Sequence, residues 1–128
     1  MNMTKFFRCP ICGNLVESVV DSGVPMICCG QEMEEIEANT QENVALEKHI
    51  PVVGVAGKII TVKVGAVNHP MLPEHFIQWI HLETNLGIKR TSLHPGQAPE
   101  AKFVLVEGEA AKAAYEYCNL HGLWKKDL

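Results

Sequence analysis

Two kinds of side chain in this sequence are able to hold a metal, and both recur at spacings that allow it. Near the C-terminal end, Cys118-Asn119-Leu120-His121 sets a thiolate and an imidazole three residues apart, just before Gly122. Upstream, His49 stands in Glu47-Lys48-His49-Ile50-Pro51, and His69 and His75 bracket Pro70-Met71-Leu72-Pro73-Glu74. Toward the other end, Cys9-Pro10-Ile11-Cys12-Gly13 has the form of a metal knuckle. Two thiolates so spaced on a tight turn reach one ion, and a glycine after them permits close amide approach. The second pair, Cys28-Cys29, is adjacent and followed by Gly30. Four thiolates select zinc or iron. From spacing alone a zinc ribbon and an iron site stand level, with a strained Cys28–Cys29 disulfide as a third alternative.

The six histidines do not all fit one site. If residues 76–82 are extended, His81 shares a face with His75, but six strand residues span about 20 Å, so the two cannot serve one ion. His94 opens the loop His94-Pro95-Gly96-Gln97-Ala98-Pro99 and has no partner pattern. Pro70 and Pro73 break the extended path between His69 and His75 and let that loop fold back. There remain His49, His69, His75 and His121, with Cys118. Such a set suits iron, which accepts five or six ligands, better than tetrahedral zinc. A blue-copper site is the rival, since a late Cys-x-x-His on a β-sandwich is also its pattern. It wants an axial methionine after the last histidine, and Gly122 to Leu128 contains none.

The elements that must position these residues follow from composition and periodicity. The chain has 128 residues, 47% apolar and 20% charged, which marks a globular protein of one domain, or one small domain plus a very small one. A net charge of −4 without any run of like charge argues against nucleic acid as a partner. No apolar stretch approaches the ~18 residues of a membrane span, because Lys58 and Lys63 interrupt the best candidate. The start, Met1 to Arg8, lacks the apolar region of a secretory signal, so a cytoplasmic location is expected. Thiols there stay reduced unless they hold a metal, and five cysteines, an odd number, read better as ligands than as disulfides.

Residues 1–37 are expected to form a small metal module. In it Leu15 to Val20 and Val24 to Cys29 make a hairpin around Asp21-Ser22-Gly23 and return the second cysteine pair to the knuckle. Residues 38–46 read as a polar linker. Residues 47–128 carry the strand signals: Ile50 to Ala56, then Ile60/Val62/Val64/Ala66 alternating with polar residues. Phe76 to Leu82, Gly87 to Ser92 and Ala101 to Glu107 continue the series. Glu109 to Tyr117 has helix-forming composition, yet it leads into Cys118. A strand is expected at its C-terminal end, with Tyr115 and Tyr117 on one face and Cys118 on the other. The sum is an all-β chain whose larger part is an antiparallel, immunoglobulin-like sandwich of about seven strands.

Taken together these residues resemble desulfoferrodoxin, the two-iron class of superoxide reductase. The likeness covers nearly the whole chain: the Cys9/Cys12/Cys28/Cys29 module, Glu47 to Pro51, Asn68-His69-Pro70-Met71 with His75, Trp79, Pro95 to Ala101, and Cys118 to Trp124. The N-terminal module is similar to desulforedoxin, a rubredoxin-like Fe(Cys)4 unit whose second cysteine pair is likewise adjacent. The resemblance implies two irons per chain. One is held by Cys9, Cys12, Cys28 and Cys29. The other has His49, His69, His75 and His121 as equatorial ligands, Cys118 as axial thiolate and the opposite position open. It implies reduction of superoxide to hydrogen peroxide with one electron and two protons, as oxidative-stress defence in an anaerobe or microaerophile. It further implies a homodimer supplied by rubredoxin or a similar small electron donor. Lys48 would steer superoxide and favour protonation, and Glu47 would take the sixth position of the ferric state. The alternative is a non-catalytic iron, or blue-copper-like, electron-transfer protein.

Overall fold

The computed structural model describes residues 5–40 and 49–128. Contacts divide the chain into two compact units, Met1–Glu37 and Ala38–Leu128, and every regular element among the described residues is a strand. No helix among them is long and apolar enough to cross a membrane.

In the first unit β1 (Lys5–Arg8) is the middle strand of a three-stranded antiparallel sheet, flanked by β2 (Leu15–Ser18) and β5 (Glu34–Ile36). A separate two-stranded ribbon pairs β3 (Ile27–Cys28) with β4 (Gln31–Glu32). The expected hairpin of Leu15–Val20 with Val24–Cys29 does not form. Val19, Val20 and Val24 are exposed, so that pairing would bury nothing, and Pro25 has no N–H to give a ladder. Asp21 instead accepts from Gly23 N–H at 2.9 Å and pairs with Lys5 Nζ at 2.9 Å. The return turn is Cys29-Gly30, with φ of 53° and 73°. Positive φ at both central residues is what a two-residue hairpin turn requires. Among the described residues of this unit only Phe6, Cys9 and Met33 form a buried apolar core, too little to hold so small a unit without a tie.

The second unit is a two-layer sandwich of seven described strands, all antiparallel. One sheet has the order β10 (Glu100–Val104), β7 (Ile59–Val64), β6 (Pro51–Ala56). The other runs β12 (Gly122–Asp127), β11 (Ala111–Cys118), β8 (Ile77–Thr84), β9 (Gly87–Ser92). Period-two patterning puts Ile60, Val62 and Val64 of β7 against Ile80 and Leu82 of β8, with Ala101, Phe103, Ala114 and Cys118 completing the core. The alternation stops earlier than the apolar run: β7 ends at Val64 and Ala66 is exposed. Likewise β10 ends at Val104, and Leu105 stays buried with its N–H bonded to Lys58 O.

β11 overrides its composition. The strand covers Ala111–Cys118 and not merely the end of the Glu109–Tyr117 segment, because it lies between β8 and β12 and its residues from Ala113 onward are buried. Packing on both sides outweighs a helix preference of a few tenths of a kcal/mol per residue, about what separates alanine and glutamate from strand formers. On the face away from the core, His81 is buried and accepts at Nδ1 from Arg90, 3.2 Å away. Burial first, then the neighbouring guanidinium, holds the His81 pKa down at about 3. The unfolded chain takes up this proton near pH 6.5, so stability from neutral His81 is complete above that pH and falls as pH drops toward 3. The slope is about 1.4 kcal/mol per pH unit. In urea titrations at pH 7 and pH 4.5, His81→Gln is expected to lose less stability on acidification than the parent; an equal loss would refute the assignment.

Candidate metal centres

The first centre is built on β1 and the β3–β4 ribbon. Cys9 directly follows β1, where Cys9 N–H bonds to Asn14 O and Gly13 N–H to Cys9 O, closing the knuckle around Cys12. The Sγ atoms of Cys9, Cys12, Cys28 and Cys29 all lie within 4.8 Å of one another. Cys12 and Cys28 are 3.6 Å apart, and Cys28 and Cys29 are 4.0 Å apart, twice a disulfide bond. A tetrahedral ion with metal–sulfur bonds of about 2.3 Å sets its sulfurs about 3.8 Å apart, so the spacing fits. The charges fit as well. The Cys12 backbone N–H holds the Cys9 thiol down at about 6, while Cys12 and then Cys9 push Cys29 up to about 12. Four thiolates this close do not ionise together unless a cation joins them.

The second centre gathers residues from three separated stretches onto one end of the sandwich. The donor atoms of His49, His69, Cys118 and His121 lie within 4.8 Å of one another. Cys118 Sγ is 3.6 Å from His69 Nε2 and 3.9 Å from His121 Nδ1, and His49 Nε2 is 3.1 Å from His121 Nδ1. His49, His69 and Cys118 are buried and His121 is partly so. His75 is beside them: its ring stands edge-on to those of His69 and His121, with centroids 4.7 and 5.3 Å away. It is outside the set of four whose donor atoms share the 4.8 Å radius. Glu47 and Lys48 lie outside the described residues. His81 is on the far face of β8, and His94 is in an exposed loop where its N–H bonds to Gln97 Oε1.

Local contacts decide which nitrogen each ring offers. The His69 Nδ1–H donates to Pro70 O at 2.7 Å, which turns Nε2 to the thiol. The His49 Nδ1 is 3.6 Å from the buried carboxylate of Glu116, and its ring stacks on Trp124 at 4.7 Å. A carboxylate behind a ligating imidazole fixes its tautomer and raises its basicity. Trp124 Nε1–H donates to His121 O at 3.1 Å. Asn119 ties the two halves together: its Oδ1 accepts from Phe76 N–H at 2.9 Å and its Nδ2 donates to Glu74 O at 3.0 Å. Its own N–H reaches Phe76 O, so the turn after Cys118 is clamped to the loop carrying His75. Neither Glu116 nor Asn119 was singled out by residue type. Their neighbours were the only signal, Asn119 lying inside the Cys-x-x-His and Glu116 two residues before it.

A β-bulge completes the placement. Tyr117 pairs with Trp79 and Cys118 with Ile77, so Gln78 is the extra residue on β8. Bulges re-aim side chains at the edges of sheets and beside sites. Here the shift brings Ile77 onto the core side beside Cys118.

Fold and donor sets together define an all-β protein with two metal centres, a four-cysteine module and a histidine–thiolate site on an immunoglobulin-like sandwich. The comparisons agree. Residues 1–36 match the desulfoferrodoxin N-terminal domain and residues 40–127 match desulfoferrodoxin. The chain belongs to the desulfoferrodoxin family. It is 45% identical over 123 residues to desulfoferrodoxin of Syntrophotalea carbinolica, covering 96% of this chain and 95% of that one. It is 46% identical over 125 residues to desulfoferrodoxin of Desulfarculus baarsii, with 96% and 95% covered. Among solved structures it resembles the superoxide reductase from Treponema pallidum, with a TM-score of 0.79, 37% identity and 97% of each chain covered. The two donor sets match the two iron centres of the family.

Asn119→Ala removes two side-chain bonds of the clamp and is expected to cost about 1–3 kcal/mol in urea unfolding of the metal-loaded protein. Unchanged stability would show that the clamp is dispensable. Cys29→Ser is expected to lower bound metal from two ions per chain to one by elemental analysis. Retention of two would remove Cys29 from the first centre.

Proposed function

We propose that the protein is a superoxide reductase that converts superoxide, one electron and two protons into hydrogen peroxide at the second centre. The convergence of His49, His69, His121 and Cys118 within 4.8 Å, in a chain of this family, carries the reading. Ferrous iron held there would supply the electron. In this proposal Cys9, Cys12, Cys28 and Cys29 hold the first iron, and His75 completes the second set with those four residues. Residues 1–37 form the four-cysteine module, 38–46 the linker and 47–128 the catalytic domain.

The residues of the chain set the conditions for that electron. Imidazoles are neutral ligands, so Cys118 is the one anionic donor of the set, and its sulfur would donate electron density to a metal held there. The edge-on packing of His75, His69 and His121 and the stacking of His49 on Trp124 leave the donor atoms little freedom. Preorganisation of this kind avoids rearrangement between oxidation states. The protein is net negative and the substrate is an anion, so attraction must come from nearby. Lys48, adjacent in sequence to His49, is the residue we assign to steering superoxide and favouring its protonation. Glu47 would repel the incoming anion, so we assign it to the ferric resting state, where a hard oxygen donor is favoured. We further propose a cytoplasmic homodimer re-reduced by rubredoxin or a similar small donor; the reduced thiols of both centres suit that compartment.

Stopped-flow mixing of the reduced, iron-loaded protein with superoxide tests the reading. Oxidation of the second centre is expected at a bimolecular rate near the steered diffusion limit, of order 10⁸–10⁹ M⁻¹s⁻¹. Loss of superoxide no faster than its spontaneous rate would leave only an electron carrier. Lys48→Ala is expected to slow the reaction and flatten its dependence on salt, and an unaltered rate constant would remove the steering role. Cys118→Ser is expected to abolish the thiolate charge-transfer absorption of the oxidised protein, and survival of the band would exclude Cys118 as a ligand.

A further inference from the structure

Tyr117 plays no part in either donor set, yet it is peptide-bonded to Cys118. Because Cys118 turns into the core, Tyr117 turns to the opposite face of β11, where the register sets it directly against Trp79. The two rings lie nearly parallel, 11° apart with centroids at 5.9 Å. Trp79 is half-buried. Above it, 5.4 Å from the ring centroid, sits the guanidinium of the exposed Arg90, from the neighbouring strand β9. Arg90 is held in place by donating to His81 Nδ1, and low basicity keeps His81 neutral and able to accept. An unbroken line of contacts therefore runs from an exposed cation, through two stacked π systems and one peptide unit, to a buried thiol.

We propose that Trp79 and Tyr117 form the electronic coupling path into the second centre from a small acidic one-electron carrier protein that docks on Arg90. This rests on the reading of Cys118 as a metal ligand. One electron leaves the reduced carrier, which is oxidised by one, and reduces ferric iron to ferrous. No bond forms or breaks, and neither ring is itself oxidised or reduced; they couple donor and acceptor electronically. Coupling through contacting π systems and covalent bonds falls off more slowly than across a gap, which gives the stack its value. Arg90 supplies the local positive charge that an otherwise net negative chain needs to attract an acidic partner.

The test uses the full-length, iron-loaded, oxidised protein mixed with reduced rubredoxin in a stopped-flow instrument, following reduction of the thiolate absorption band. Trp79→Leu is expected to slow reduction by about an order of magnitude or more. Trp79→Phe, which keeps a ring, is expected to recover most of the rate. Arg90→Glu is expected to slow reduction and to remove its weakening by salt. An intact band in the oxidised variants shows that the site itself is preserved. Reduction of Trp79→Leu at the parent rate, with the band intact, overturns the coupling path. Should that variant not fold, an unaltered rate and salt dependence in Arg90→Glu overturns it instead. The reaction of pre-reduced parent protein with superoxide is measured alongside. Its failure refutes the proposed activity and leaves the coupling result standing.

Discussion

A strand presents its side chains alternately to its two faces, and in β11 that alternation carries Cys118 into the core and Tyr117 away from it. The second centre depends on this one register. Held between β8 and β12, β11 cannot slip by a residue without exchanging Ala114 and Cys118 for Tyr115 and Tyr117 in the core. Pairing with β12 through Cys118 and Gly122 then fixes the turn that carries His121. The bulge at Gln78 and the hydrogen bonds of Asn119 bring the His75 loop to the same end of the sandwich.

The two centres solve the problem of crowded donors differently. In the first unit four thiols gather around a small core that includes Phe6, Cys9 and Met33, and their mutual proximity pushes Cys28 and Cys29 away from ionisation. A cation there contributes directly to folding, because little else opposes the chain entropy of so short a segment. In the second unit the sandwich has an extensive apolar core of its own, which includes Cys118. His49 and Cys118 are buried there, and the His49 ring stacks on Trp124, so the packing of the scaffold helps to position these donors. That division suits a tied module in one unit and a reactive site positioned by packing in the other.

Around the histidine–thiolate set the supporting contacts matter as much as the donors. Pro70 O takes the Nδ1 proton of His69, Glu116 faces Nδ1 of His49, and Trp124 anchors the His121 carbonyl. The first two act on the ring nitrogen away from the donor set and so favour the other nitrogen facing inward, while the third fixes the backbone that carries His121. Trp124 serves twice, stacking on one histidine and bonding to the backbone of another. The sheet's other face uses the same strands for a separate purpose: a neutral buried histidine, an arginine over a tryptophan, and a stacked tyrosine.

Side-chain identity and spacing by themselves determined which residues are able to hold a metal, because thiolates and imidazoles are the chemistry, and which histidines lie too far apart along a strand to share an ion. Alternation at Ile60, Val62 and Val64 made the sandwich legible for the same local reason: burial on one face writes a period of two into the chain. The partner of each strand was not legible. The true neighbours of β2 and β3 are β1 and β4, while Leu15–Val20 and Val24–Cys29 looked like a hairpin only because they flank a turn. Glu109 to Tyr117 read partly as helix because composition reports local preference, whereas its place between β8 and β12 is a long-range fact. Tertiary structure alone decided the roles of Glu116, Asn119, Trp124 and Trp79. A carboxylate, an amide or an indole carries no mark of its partner, and these partners come from strands or loops that meet only when the sheet register is set.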